Sequence, residues 1–541
     1  MFPPWLVRSV FLIIVASSVI VRLPAVTEMF LGPDELMVWS IAQGESAEEI
    51  LRRALFEVHP PLESFFRAGI RPLVDSIQGL RVLYMGIATV GILLCSYALF
   101  ASPSPAAFLI LLFILSFSRV FVVSSVLLRS YPLLIFFFGA AMFFFSQVTG
   151  ENRRPIVAIV GMWFSMALAG CSHFSAFLAC PGFFVPTIFV VWKRGDRRSV
   201  TMLVSASVAL CVQGALLYLY FFSPDTGASA WRRLSKSDIF SRCAGFTDPG
   251  RLMLHVLGMF NVSPLEVLPY SLLVVTGCVG AAIYAVALLF CFRKKRLWFF
   301  FATITWGIAL LSNQLGLYPV TGGKQSIFLL LCIAVPMALF FAEVVSQKIA
   351  ISSLSVAALC ISLASLSANF SYFREASDMP LTQKQYEDIR DSIRVISRAK
   401  EPVYTSRFGL LYGLFARDGL SKFYMDETSR TSIVTPDGEL AFCAPGGLWQ
   451  STKSELSYCL SPNPSVPSLA FDETIWFLSV GFEDTLFESL RECAVRYGEL
   501  VATRSSKGVQ LFALHRNFVE RALALEGCLA GYREDHCAKA L

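Results

Sequence analysis

Up to about residue 373 the chain alternates long apolar stretches with short clusters of charge. No Asp, Glu, Lys or Arg occurs from Val82 to Ser118, Ser130 to Gly150, Pro155 to Trp192, Ser199 to Pro224, Val267 to Phe292, Leu297 to Gly323, Gln325 to Ala342 or Ile349 to Phe373. About 20 mostly apolar residues carry a helix across a bilayer, so each run predicts at least one membrane span. The first and third runs are long enough for two spans each, with breaks at Ser102–Pro105 and near His173. A further helix over about Ser9 to Val26, retained rather than cleaved as a signal peptide, brings the expectation to about eleven. Arg22 is expected to snorkel from its end.

Beyond Phe373 charges become frequent, and the period changes. A helix is expected from Gln383 to Ala399, strands near Val403, over Thr474–Val480 and over Val509–Leu514, and a helix from Glu483 to Tyr497. The expected division is a transmembrane domain over 1–369 and a small α/β domain over 370–541. Within the first, segments 28–80 and 224–266 are too long for simple connectors. The stretch around Ile50, Ala54, Leu55 and Val58 has one apolar helical face, as an interfacial helix or a helix capping the bundle would.

Composition agrees with bilayer as the solvent: 55% of the 541 residues are hydrophobic, 16% are charged and the mean hydropathy is +0.62. Lys193, Arg194, Arg197 and Arg198 form one short-loop cluster, Arg293 to Arg296 a second and Arg153 with Arg154 a third. All three are cytoplasmic if the N-terminus is inside, which puts segments 28–80 and 224–266 and the C-terminal domain outside. In an oxidising exterior Cys443 with Cys459, and Cys528 with Cys537, are the economical disulfide pairings, leaving Cys493 over. The net charge of +6 points to no nucleic-acid partner. The C-terminal part has no phosphate-binding glycine loop.

This topology places Asp34, Glu35, His59, Arg119, Arg129, His173 and Lys324 at the outer face. Individually these are ordinary loop and helix-end residues. Gathered on one membrane surface, they suit the handling of an anionic group delivered by lipid. A transporter or sensor with an extracytoplasmic binding domain is the alternative, and a transporter more commonly shows mid-membrane charges on broken helices and repeat symmetry.

GPDELMVWS at Gly32–Ser40, HPPLESFF at His59–Phe66, LLRSYPLLIFFFG at Leu127–Gly139, SHFSAFL at Ser172–Leu178 and GGKQSIFLLLCIAVP at Gly322–Pro336 together resemble the GT-C superfamily of membrane glycosyltransferases. The likeness is to the branch containing protein O-mannosyltransferases and lipid A aminoarabinose transferases, and it spans residues 1–345. Lys324-Gln325 stands where the family often has Arg-Tyr, which keeps a cation without the bidentate fork of arginine.

The resemblance implies an inverting, polyprenyl-phosphate-sugar-dependent glycosyltransferase in a bacterial inner membrane, whose acceptor is a hydroxyl of an envelope lipid, glycan or protein. Under it Asp34 is the expected base, with Glu35 beside it as the second catalytic acid. Arg129, Lys324 and, more weakly, Arg119 are the expected donor-phosphate contacts. His59, His173 and Tyr131 would position substrate. The resemblance leaves open a divalent metal ion, with Glu35 and His59 as its candidate ligands.

Overall fold

The computed structural model describes residues 4–28, 33–42, 44, 46–54, 60–74, 76–100, 105–150, 155–222, 270–315, 327–345, 352–363, 387–392, 403–405, 430–435, 438–443, 474–480, 490–492, 494–496, 498–506 and 509–524. The chain divides into two compact units. The first comprises Met1–Thr27 with Gly44–Ser371, and the second Glu28–Gln43 with Tyr372–Leu541.

The first unit is helical. Its long elements are α1 (Pro4–Glu28), α5 (Ile77–Tyr97), α6 (Pro105–Phe117), α8 (Tyr131–Thr149), α9 (Pro155–Ser172), α10 (Ser175–Lys193), α11 (Arg197–Phe222), α12 (Tyr270–Lys294), α13 (Arg296–Gln314), α14 (Ile327–Val344) and α15 (Ser352–Leu363). Each of these falls on one of the expected spans. Among the described residues, α1, α5, α8, α9, α10, α11 and α14 are long and apolar enough to cross a bilayer, while α6 and α15 are shorter apolar helices. The protein is an integral membrane protein. Short helices α3 (Ala47–Ala54), α4 (Leu62–Ile70) and α7 (Arg119–Ser124) lie between the long ones, and α2 (Pro33–Ile41) belongs to the second unit.

Local chemistry sets the helix starts. Ser76 caps α5, its hydroxyl accepting the Gly79 amide at 3.0 Å. Proline opens α6 and α9 and stands second in α8, where its missing N–H costs no hydrogen bond. In α3, Ile50 and Ala54 are buried while Glu48 is exposed and Glu49 pairs with Arg53. Leu55, Val58 and segment 224–266 lie outside the described residues.

Packing inside an apolar solvent gains little from hydrophobic exclusion, so close approach and polar contacts decide it. At the crossing of α5 and α8, a Cβ on Gly139 would come within 2.0 Å of the Gly91 carbonyl oxygen, and one on Gly91 within 2.5 Å of the Phe136 Cα. The two backbones touch because neither residue has a side chain. At the crossing of α10 and α13, a Cβ on Gly182 would meet Thr305 Oγ1 at 1.9 Å. Phe183 of α10, Phe145 of α8 and Phe301 of α13 pack beside this crossing, with Phe183–Phe301 centroids 5.1 Å apart. Gln213 of α11 donates to the Ala167 carbonyl of α9 at 2.9 Å. Helix α14 is the internal pillar, with 72% of its span window buried, whereas α11 at 11% lines the periphery and suits a lipid-facing position.

The second unit carries a six-stranded mixed sheet: β1 (Val403–Thr405), β2 (Arg430–Thr435), β3 (Gly438–Cys443), β4 (Thr474–Val480), β5 (Leu500–Ser506) and β6 (Val509–His515), in the order β2-β3-β1-β4-β6-β5. Strand β1 runs parallel to β3 and β4, and the other pairs are antiparallel. Phe477 of β4 faces Phe512 of β6 in register, with stacked rings 5.0 Å apart. Helix α16 (Arg516–Ala524) follows β6 and buries Phe518 and Val519. The cysteine side chains of the two expected disulfides lie outside the described residues.

The α5–α8 crossing gives a direct test. Gly139→Val forces apart backbones already in contact and should lower the thermal midpoint in detergent by several degrees, an over-packing cost of about 1–3 kcal/mol. Gly86→Ala, on the same helix α5 with open space around it, should leave it unchanged or raise it. Equal midpoints for the Gly139 variant and wild type would contradict the packing described.

Candidate functional site

Between α7 and α8 the chain leaves helical conformation over Ser125–Ser130, and Arg129 lies in this break. Carbonyls released from a helix in an apolar setting need donors from elsewhere. Three buried arginines from three different helices converge here, two of them donating to carbonyls of the break and one to the Ser125 hydroxyl. Arg22 of α1 donates through Nε to Ser125 Oγ at 2.7 Å and through Nη1 to Ser116 O, at the end of α6, at 2.9 Å. Arg81 of α5 donates to Val126 O at 3.0 Å. Arg67 of α4 donates to Leu128 O.

Arg22 is therefore not the snorkelling residue that its place near a helix end predicts. It is fully buried, also donating to Ser18 O at 2.8 Å, because the C-terminal carbonyls of α6 and the Ser125 hydroxyl offer acceptors inside the bundle.

Arg67 is itself anchored. Its Nη2 donates to Glu63 Oε1 at 2.7 Å, one turn earlier on α4, and the Tyr84 hydroxyl of α5 donates to the same oxygen at 2.7 Å. Glu63 and Arg67 are each 2% exposed. Burial pushes the Glu63 carboxyl above its ordinary value, opposed by the charge of Arg67, by hydrogen bonds from Tyr84 and Arg67, and by the charge of Arg129. Glu63 Oε2 and Ser130 Oγ are buried without a hydrogen-bond partner among the described residues.

Arg129 is 5% exposed, and its Cζ lies 6.0 Å from the Tyr131 ring centroid. The Tyr131 ring is 5.3 Å from that of His173, which sits in the break between α9 and α10. The Ser175 amide donates to His173 Nδ1 at 3.2 Å, with Ser175 Oγ 2.7 Å from the same nitrogen. A backbone amide can only donate, so Nδ1 is an acceptor and the neutral ring carries its proton on Nε2.

The fold thus brings together Arg129, Tyr131 and His173, three of the residues singled out in the sequence, at two adjacent helix breaks. It adds Arg22, Glu63, Arg67, Arg81 and Tyr84, which sequence reasoning did not select. The signal for one pair was present: Glu63 and Arg67 stand four apart in a short helix. Asp34 and Glu35 lie on α2 of the second unit; Glu35 is buried, and the Asp34 side chain is outside the described set. Arg119 opens α7, again without a described side chain. His59 and Lys324 lie outside the described residues. Of the two candidate metal ligands only the Glu35 side chain is described, and among the described residues no three metal-ligating side chains gather.

Against solved structures the chain is similar to ArnT from Cupriavidus metallidurans bound to undecaprenyl phosphate, with a TM-score of 0.52 and 12% identity over 94% of this chain and 98% of that one. The chain shares the overall fold of that protein. An oligosaccharyltransferase from Archaeoglobus fulgidus, in complex with Zn and sulfate, is a weaker likeness on which nothing below rests: TM-score 0.47, 12% identity, 93% of this chain and 72% of that one. No protein-family model and no curated protein matches the sequence. Within this helical bundle the buried arginines surround a backbone break, an arrangement that can both fix a loop and present positive charge to an anion.

The carboxyl at its centre has a pH signature. Because the folded value of Glu63 is raised, the protein binds this proton more tightly than the unfolded chain does. Stability should therefore fall as pH climbs from the ordinary carboxylate range to the folded value. Glu63→Gln should flatten that part of the profile of thermal midpoint against pH, and superimposable profiles for variant and wild type would contradict the assignment.

Proposed function

We propose that the chain is an inverting glycosyltransferase that moves a sugar from a polyprenyl-phosphate donor to a hydroxyl of an envelope lipid, glycan or protein at the outer face of a bacterial inner membrane. One observation supports this most strongly: the buried Arg129–Tyr131–His173 group lies at adjacent helix breaks in a fold that aligns over nearly its whole length with a protein bound to undecaprenyl phosphate.

In this reading the acceptor oxygen attacks the anomeric carbon from the face opposite the phosphate. The new C–O bond forms as the bond to the phosphate oxygen breaks, inverting the carbon, and polyprenyl phosphate departs with the bonding pair. The acceptor proton passes to Asp34. Arg129 and Lys324, assisted by Arg119, meet the negative charge growing on the phosphate, where a dry, fixed cation acts more strongly than in water. In this reading His173 and Tyr131 position the substrate. Glu35 and His59 orient the donor or acceptor. The N-terminus is cytoplasmic and the sheet-bearing unit extracytoplasmic.

Transfer from a radiolabelled polyprenyl-phosphate sugar by purified protein tests the roles. Asp34→Asn should lower turnover by about 10²- to 10⁴-fold while donor binding stays near normal, and Arg129→Gln should weaken donor binding. Turnover by Asp34→Asn within a few-fold of wild type would remove Asp34 as the base. Loss in Glu35→Gln alone would move that role to its neighbour.

A further inference from the structure

The donor-site reading gives Arg129 a task but leaves Glu63, Arg67 and Tyr84 unused. All three are buried, and they come from α4 and α5 rather than from the break that carries Arg129. The atom that Arg67 holds is the carbonyl of Leu128, which belongs to the peptide unit whose nitrogen is that of Arg129. A planar peptide fixed at its oxygen is fixed at its nitrogen as well. We propose that Arg67, locked by Glu63 and Tyr84, is a positioning residue for donor binding that sets the peptide plane from which Arg129 reaches the phosphate. This rests on the reading of Arg129 as the donor-phosphate contact.

The geometry is over-determined in the way such a role needs. Glu63 Oε1 receives Arg67 Nη2 and the Tyr84 hydroxyl, each at 2.7 Å, and the Arg67 guanidinium lies 5.9 Å from the Tyr84 ring centroid. The guanidinium is thus held by its charge, by one hydrogen bond and by the adjacent ring, while the same Nη2 holds Leu128. Lysine would keep the charge but not the rigid planar fork. Glu63 also feels the charge of Arg129. Arg81 holds the Val126 carbonyl and Arg22 the Ser125 hydroxyl, while Arg67 holds the carbonyl next to Arg129.

The test is a double-mutant cycle on donor KM, using a synthetic polyprenyl-phosphate sugar with the full-length protein in nanodiscs. Arg67→Lys and Tyr84→Phe should each raise donor KM, on the order of tenfold for Arg67→Lys, with kcat and acceptor KM little changed. In an Arg129→Gln background neither should raise donor KM further, because both act through Arg129. A structural role alone would change activity by the same factor in both backgrounds. Tyr84→Phe removes a single hydroxyl and carries the test if Arg67→Lys does not fold. Raised donor KM in Arg129→Gln, together with wild-type KM in the folded positioning variants or equal factors in both backgrounds, overturns the proposal alone. Unchanged donor KM in Arg129→Gln overturns the donor-site reading and this proposal with it.

Discussion

A helix interrupted inside an apolar bundle must find donors for the carbonyls it releases, and at Ser125–Ser130 those donors are guanidinium groups. The rest of the first unit can be read from that need. Helices α1, α4 and α5 each contribute one arginine to the break, so their relative placement is fixed by hydrogen bonds as well as by side-chain packing. An unpaired buried carbonyl costs roughly 1–3 kcal/mol and an unpaired buried charge more. Each arginine thus satisfies a buried acceptor in or beside the break. The close approach of α5 to α8 at Gly91 and Gly139 holds Arg81 and Tyr84 near the start of α8, which follows the break directly.

The transmembrane architecture was largely legible because the choice of solvent leaves its mark on composition. Each charge-free run holds at least one of the described long helices, and the break within the third run falls at His173. Arg22 was not legible. An arginine one or two turns from a helix end looks the same in sequence whether it snorkels or is buried. What decides is an acceptor at Ser125, 103 residues away, and another at Ser116, 94 residues away. Glu63 stood inside the HPPLESFF segment without being singled out, and its partner Tyr84 lies 21 residues on, in a mostly apolar helix. For the site itself, Arg129 and His173 were singled out by their place at the outer face, and Tyr131 by the family resemblance. The fold joins them through aromatic and cation–π contacts that no spacing rule contains.

In the second unit the expected strands at Val403, Thr474–Val480 and Val509–Leu514 are present, whereas β2, β3 and β5 were passed over. Their signals were modest but real. In sequence only Pro436 and Asp437 stand between β2 and β3, with Thr435 pairing Gly438, and only Lys507 and Gly508 between β5 and β6, with Ser506 pairing Val509. The grouping of residues 28–43 with this unit was not legible, because nothing in a short loop sequence says which compact body will hold it. That grouping puts Asp34 and Glu35 on a different unit from Arg129.

The central claim is that the clamped break presents Arg129 to a polyprenyl phosphate, and a cryo-electron-microscopy structure of the protein in nanodiscs with undecaprenyl phosphate tests it most directly. The account predicts phosphate density within hydrogen-bond distance of the Arg129 guanidinium, with Arg67 still on the Leu128 carbonyl. Phosphate density bound elsewhere on the protein, with Arg129 remote from it, would contradict the account.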